Sequence, residues 1–206
     1  MFSKPLIIID VDGTYYDKFK EDDKEIIKTI FKNNRFINFI DSIAWYFNSF
    51  DILSNTEYIL KLRLKFYSVL TNKKISNILE RYKELYQVNL SINIKQKEKI
   101  MERLQKKYTV ILISSNMYSG DVLSDLTNLR CYKVKNNKER KALLNGVRMC
   151  YGELVAIVGN NYMDDIKMAD FFNCKSVYIG KSKLITLIKR QYKYKSFSEF
   201  EKQARI

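Results

Sequence analysis

The sequence predicts an α/β fold: a parallel sheet with helices on both faces and a helical insertion after the first strand. Three observations carry this. First, three short apolar runs each end abruptly in polar residues: Leu6 to Ile9 before Asp10, Val110 to Ile113 before Ser114, and Leu154 to Val158 before Gly159. Continuous apolar runs of this length are the mark of strands buried on both faces. Second, helical patterns at 92–107, 138–151 and 163–172 alternate with these runs, as a parallel sheet requires. Third, residues 16–91 hold helical patterns but no buried strand.

The first strand is therefore expected at Leu6–Ile9. Weaker strands are expected at 130–134 and 176–179. Within the insertion, helices are expected at 22–33, 37–50, 56–70 and 75–86. In the third of these, Ile59, Leu62, Phe66 and Val69 recur at three- and four-residue spacing, which marks a packing face. The expected domains are a core of 1–15 and 92–206, and a helical cap of 16–91.

Composition narrows the function. The 206 residues include 46% hydrophobic and 29% charged side chains, which suits a soluble globular protein. No run of ~18 apolar residues is present to cross a membrane. The N-terminal apolar run is too short for a secretory leader and leads into acidic residues. Cys131, Cys150 and Cys174 are odd in number and lack metal-ligand spacing. A reduced, cytoplasmic setting is expected. The chain has no histidine, which excludes Ser-His-Asp and Cys-His hydrolases and His-liganded zinc. The net charge of +14 is spread along the chain and densest at 181–195. That balance follows from a Lys-, Asn- and Ile-rich composition, so nucleic acid is the weaker reading. A positive field does favour phosphorylated substrates.

The chemistry gathers at the strand ends. In open parallel sheets ligands bind outside the carboxyl ends of the strands. Asp10 and Asp12 lie two residues apart just past the first strand, and Gly13 lets a ligand approach the backbone. Paired carboxylates call for a hard cation such as Mg²⁺. A carboxylate can also attack phosphorus, and its neighbour can move the proton. Alone, such a segment is also an ordinary turn. Ser114, Ser115 and Asn116 follow the second strand and offer donors to phosphate oxygens. Lys138 opens the helix before the third strand. Asn160, Asp164 and Asp165 follow that strand, where carboxylates also suit a helix N-terminus.

In this order, these residues resemble the haloacid dehalogenase superfamily, over roughly residues 5–17 and 100–180. The resemblance implies a Rossmann-like core with a helical cap and Mg²⁺-dependent hydrolysis of a small phosphate monoester through an aspartyl-phosphate. The insertion looks similar to the cap of the phosphoserine-phosphatase-like branch. Asp10 matches the nucleophile and a metal ligand. Asp12 matches the acid/base, with its carbonyl on the metal. Ser114 matches the phosphate-binding hydroxyl, with Ser115 as alternative. Lys138 matches the family lysine, with Lys141 and Lys135 as alternatives, and Asp164 matches the second acid of the last motif. The family's usual Asp after the glycine is here Asn160, an amide with no charge for the metal. Asp12 argues against a dehalogenase, which needs no second acid. A phosphosugar mutase uses the same two acids. A non-catalytic phospho-ligand or protein-binding member, motivated by Asn160, and a nucleic-acid end phosphatase, motivated by charge, are further readings. The aromatics Trp45, Tyr46, Phe47 and Tyr67 would shield the site or form the cap's own core.

Overall fold

The computed structural model describes residues 4–16, 19–32, 34–48, 56–116, 118, 119, 123, 129–180 and 192–203. Most of the basic segment 181–195, and the side chains of Trp45, Tyr46 and Phe47, lie outside the described residues.

Six strands form one parallel sheet in the order β3-β2-β1-β4-β5-β6. The strands are β1 (Leu6–Asp10), β2 (Thr109–Ser114), β3 (Arg130–Lys133), β4 (Leu154–Gly159), β5 (Lys175–Ile179) and β6 (Tyr192–Tyr194). β1 lies between β2 and β4, with Ile9 opposite Leu112 on one side and Val158 on the other. Its alternation explains the unbroken apolar run. Ile7 and Ile9 enter one core and Leu6 and Ile8 the other, each almost fully buried. From β1 the chain builds outward through β2 and β3, then returns to build the other way from β4. The strand order reverses at β1, and that is where a crevice opens at the carboxyl ends.

The helices are α1 (Phe19–Ile30), α2 (Arg35–Asn48), α3 (Thr56–Thr71), α4 (Ile75–Lys107), α5 (Asn137–Tyr151), α6 (Lys167–Phe171) and α7 (Phe197–Gln203). A π-helical turn, Tyr162–Ile166, precedes α6. Leu144 and Val147 of α5, with Met168 and Ala169 of α6, cover one face of the sheet. Met101 and Leu104 of α4, with Phe197 and Phe200 of α7, share the core of the other face. The short elements β6 and α7 had no counterpart among the sequence expectations.

Two expectations change. The helices expected at 75–86 and 92–107 are one 33-residue helix, α4. Residues 87–91 contain neither Gly nor Pro, and Ser91 Oγ donates back to the Gln87 carbonyl at 2.8 Å without ending the helix. The expected boundary at 91/92 thus falls inside a continuous rod that runs from the insertion into the core. In α3, the predicted packing face is the exposed one: Leu62, Phe66 and Val69 are 55%, 49% and 76% exposed. Leu60, Leu64 and Tyr67 are buried instead. Both stripes have helical spacing, so periodicity does not choose between them.

The insertion is held by polar as well as apolar contacts. Arg63 Nη2 donates to both oxygens of Asp23, at 2.8 and 2.6 Å, and Arg63 Nε lies 3.4 Å from Asp41. Tyr82 donates to Asp23 at 2.5 Å and Tyr67 to Asp41 at 2.7 Å. Buried charges need such partners, and these link all four helices of the insertion. Tyr67 thus belongs to the insertion's own core.

Candidate active site

Asp10 closes β1, and the backbone turns tightly beyond it. Tyr15 N and Tyr16 N donate back to the carbonyls of Asp10 and Val11, at 3.2 and 2.7 Å. Gly13 has φ 84°, and a Cβ there would come within 2.0 Å of Asn160 Nδ2. Only glycine lets Asn160 lie against this loop, so the β1 and β4 ends meet there. Lys97 of α4 is buried and donates to the Tyr15 carbonyl at 2.5 Å, tying the same loop to the long helix.

Asp12 is partly exposed, but both of its carboxylate oxygens are held. Tyr86 of α4 donates to Oδ1 at 2.5 Å and Ser114 to Oδ2 at 2.8 Å. Desolvation lifts the Asp12 carboxyl to about 6, against the two hydrogen bonds, which favour the charged form. Ser114 is fully buried, and its Oγ also accepts from Ser119 at 2.6 Å and from the Asn116 backbone at 2.9 Å. Asn116 is buried in the same loop and accepts from Tyr118 N at 3.0 Å.

The buried cation of the site is Arg140, not one of the lysines considered from the sequence. It is 4% exposed, and its Nη2 donates to Asp10 Oδ1 at 3.3 Å. Nη1 donates to the Asp164 carbonyl at 2.8 Å and to Asp165 Oδ1. Burial opposes its charge, but Asp165, Asp10 and Asp164 more than offset that. Lys138 and Lys135 are exposed at the rim of an adjoining cavity of about 460 Å³, which Ser115, Arg140 and Asp164 also line. Lys141 is exposed on another side of α5, with Nζ 4.1 Å from the centre of the Phe171 ring. The signal for Arg140 was its spacing. Arg140, Leu144 and Val147 form the buried face of α5.

Asp165 is fully buried and serves as the counter-ion of Arg140. Its other oxygen accepts from Asn161 N at 2.9 Å. The side chain packs where a Cβ on Gly159 would sit, within 2.0 Å. Asp164 is mostly buried and accepts from the Asn137 side chain. Tyr86 was also missed. It comes from the insertion, 74 residues away in sequence from Asp12, and no local pattern marks it.

Asp10, Asp164 and Asp165 crowd around one guanidinium, with Asp12 near Asp10. Burial raises the Asp10 carboxyl well above its ordinary range, and Asp165 raises it further; Arg140 pulls it back, while Asp12 and Asp164 again push upward. This excess negative charge fits a hard divalent cation. Among the described residues no three acidic or thiol groups form a ready cage, and the carboxylates of Asp12 and Asp165 are already engaged. The side chains that could hold such an ion are Asp10, Asn160 and Asp164, and the resemblance would add the Asp12 backbone carbonyl. Such a sparse set suits Mg²⁺, which keeps several waters.

The fold is similar to that of solved structures named as haloacid dehalogenase (HAD) family proteins. Among solved structures, the chain is similar over its full length to one named as that of the HAD-hydrolase YfnB from Bacillus subtilis, bound to magnesium. The TM-score is 0.66, with 11% identity and 100% of each chain covered. A HAD phosphatase from Thermococcus onnurineus superposes with a TM-score of 0.52, 16% identity and 96% of each chain covered. At such identities the likeness is one of fold. No protein-family model and no curated protein matches the sequence. Among the described residues no helix is long and apolar enough to cross a membrane.

Proposed function

We propose that the chain is a magnesium-dependent phosphatase that hydrolyses a phosphate monoester through an aspartyl-phosphate on Asp10. The observation that carries this is the pairing of Asp10, held by Arg140, with Asp12, held by Tyr86 and Ser114. A binding module has no need of a second carboxyl tuned for proton transfer.

Asp10 attacks phosphorus in line, and the leaving oxygen departs on the Asp12 side. Near pH 6 the Asp12 carboxyl is about half protonated, so it can donate a proton to the leaving oxygen and afterwards take one from water. Arg140 orients Asp10 and offsets negative charge as the phosphoryl group arrives. Ser115, on the cavity wall, is placed to donate to a phosphoryl oxygen. Magnesium, when bound, would screen the phosphoryl oxygens and favour ionised Asp10.

A screen of phosphate monoesters with Mg²⁺ tests the reading. Wild type should turn over at least one. Asp10→Asn should be inactive, and chelator should silence wild type. Turnover that survives in Asp10→Asn would sink the mechanism. Asn160→Asp adds the charge that the amide lacks. Calorimetric titration should show tighter Mg²⁺ binding than in wild type, and unchanged affinity would remove Asn160 from the proposed donor set.

A further inference from the structure

We propose that the cavity beside Arg140 selects substrates bearing a second anionic group, a carboxylate or another phosphate, besides the phosphoryl group that is transferred. This rests on the phosphatase reading for the first anion only.

The cavity has the size of a small-metabolite site, about 460 Å³. It is graded from end to end. Its buried end holds Arg140, 4% exposed and in contact with the nucleophile Asp10. The solvent end holds Lys135 and Lys138, both exposed. The wall thus becomes more cationic outward from the guanidinium that touches Asp10, so an anionic group elsewhere on the same substrate would meet the two lysines.

Among the described residues no carboxylate pairs with the outer lysine side chains. Asp164 is the acid on the cavity wall, and it sits at the buried end, accepting from Asn137. Glu139 is the nearest acid in sequence, but its Oε2 accepts from the Lys135 backbone N–H at 2.8 Å, while Asn136 Oδ1 accepts from Glu139 N at 3.0 Å. That reciprocal pair caps α5. Among the described residues neither lysine side chain forms an ion pair. The first turn of α5 also faces this wall, and its dipole adds to the positive potential. A ligand with an uncharged leaving group would leave both lysines unused.

The test is calorimetric binding to the Asp10→Asn protein, which prevents turnover and retains the cavity. The probes are glycerol 3-phosphate, 3-phosphoglycerate and glycerol 1,3-bisphosphate, which differ in whether a carboxylate, a phosphate or neither supplies the second anion. Two partly exposed ion pairs predict about tenfold tighter binding for at least one doubly anionic probe. The tighter of the two identifies the second anion. Lys135→Met with Lys138→Met, both at exposed positions, should reduce the preference to about twofold. Equal affinity for all three probes would overturn the proposal. So would a preference that survives in the lysine variant, or no binding of any probe. Turnover by wild type is read separately, so hydrolysis lost in Asp10→Asn upholds the phosphatase reading whatever the ligand preference.

Discussion

Replacing Arg140 with methionine should abolish turnover and cost about 3–5 kcal/mol of stability, the usual penalty for stripping a buried charge of its partner. In the native site the guanidinium reaches Asp10 through Nη2, and Asp165 and the Asp164 carbonyl through Nη1. Without it, among the described residues Asp165 has no cation and Asp10 loses the one charge that favours its ionised form. Urea unfolding reads the stability loss. Arg140→Lys keeps the folded protein available for kinetics. A lysine supplies charge but cannot bridge two carboxylates with a planar fork. It should fold with a smaller loss and still reduce kcat/KM by about a hundredfold. Wild-type turnover in Arg140→Lys would show that Arg140 is structural only.

Arg140 also shows where the sequence stops being legible. Asp10 and Asp12 could be read because their chemistry is local: two carboxylates and a glycine at the end of one buried strand. The cation comes from a helix, and Lys138, Arg140 and Lys141 crowd within four positions of it. Only the phase of α5 separates them, since Arg140 shares the buried face of Leu144 and Val147 while Lys138 and Lys141 point to solvent. The same difficulty appears in α3, where two apolar stripes compete and the unpredicted one, Leu60, Leu64 and Tyr67, is buried. Tyr86 lay further out of reach. Its contact with Asp12 depends on α4 running unbroken from the insertion into the core, where the sequence predicts two helices. The parallel sheet was legible because its central strands are buried on both faces. The edge strand β6 has only three residues, and Tyr192 is half exposed, so it lacks that signature.

Asp12→Asn should give the second large effect, a fall of about a hundredfold to ten-thousandfold in turnover of an alkyl phosphate. The amide is isosteric: its oxygen can accept from Ser114 and its NH2 can donate to the Tyr86 oxygen, so the fold should be retained. The loss should depend on the leaving group. An alkoxide needs a proton to depart, so formation of the acyl phosphate becomes slow. p-Nitrophenolate departs without one, so with p-nitrophenyl phosphate the first step survives and water attack becomes limiting. The expected record is a burst of nitrophenolate followed by near arrest, measured by stopped-flow absorbance. Equal losses for the two substrate types, with no burst, would remove Asp12 from the acid/base role.

The most direct measurement is to trap the intermediate on Asp10. Wild-type protein with Mg²⁺ and a phosphate-labelled monoester is quenched in acid during turnover, digested and mapped by mass spectrometry. The predicted result is phosphate on the peptide carrying Asp10, labile to hydroxylamine and absent from Asp10→Asn. Hydrolysis by wild type in which no acyl phosphate forms on Asp10, while Asp10→Asn still turns over, would contradict the account.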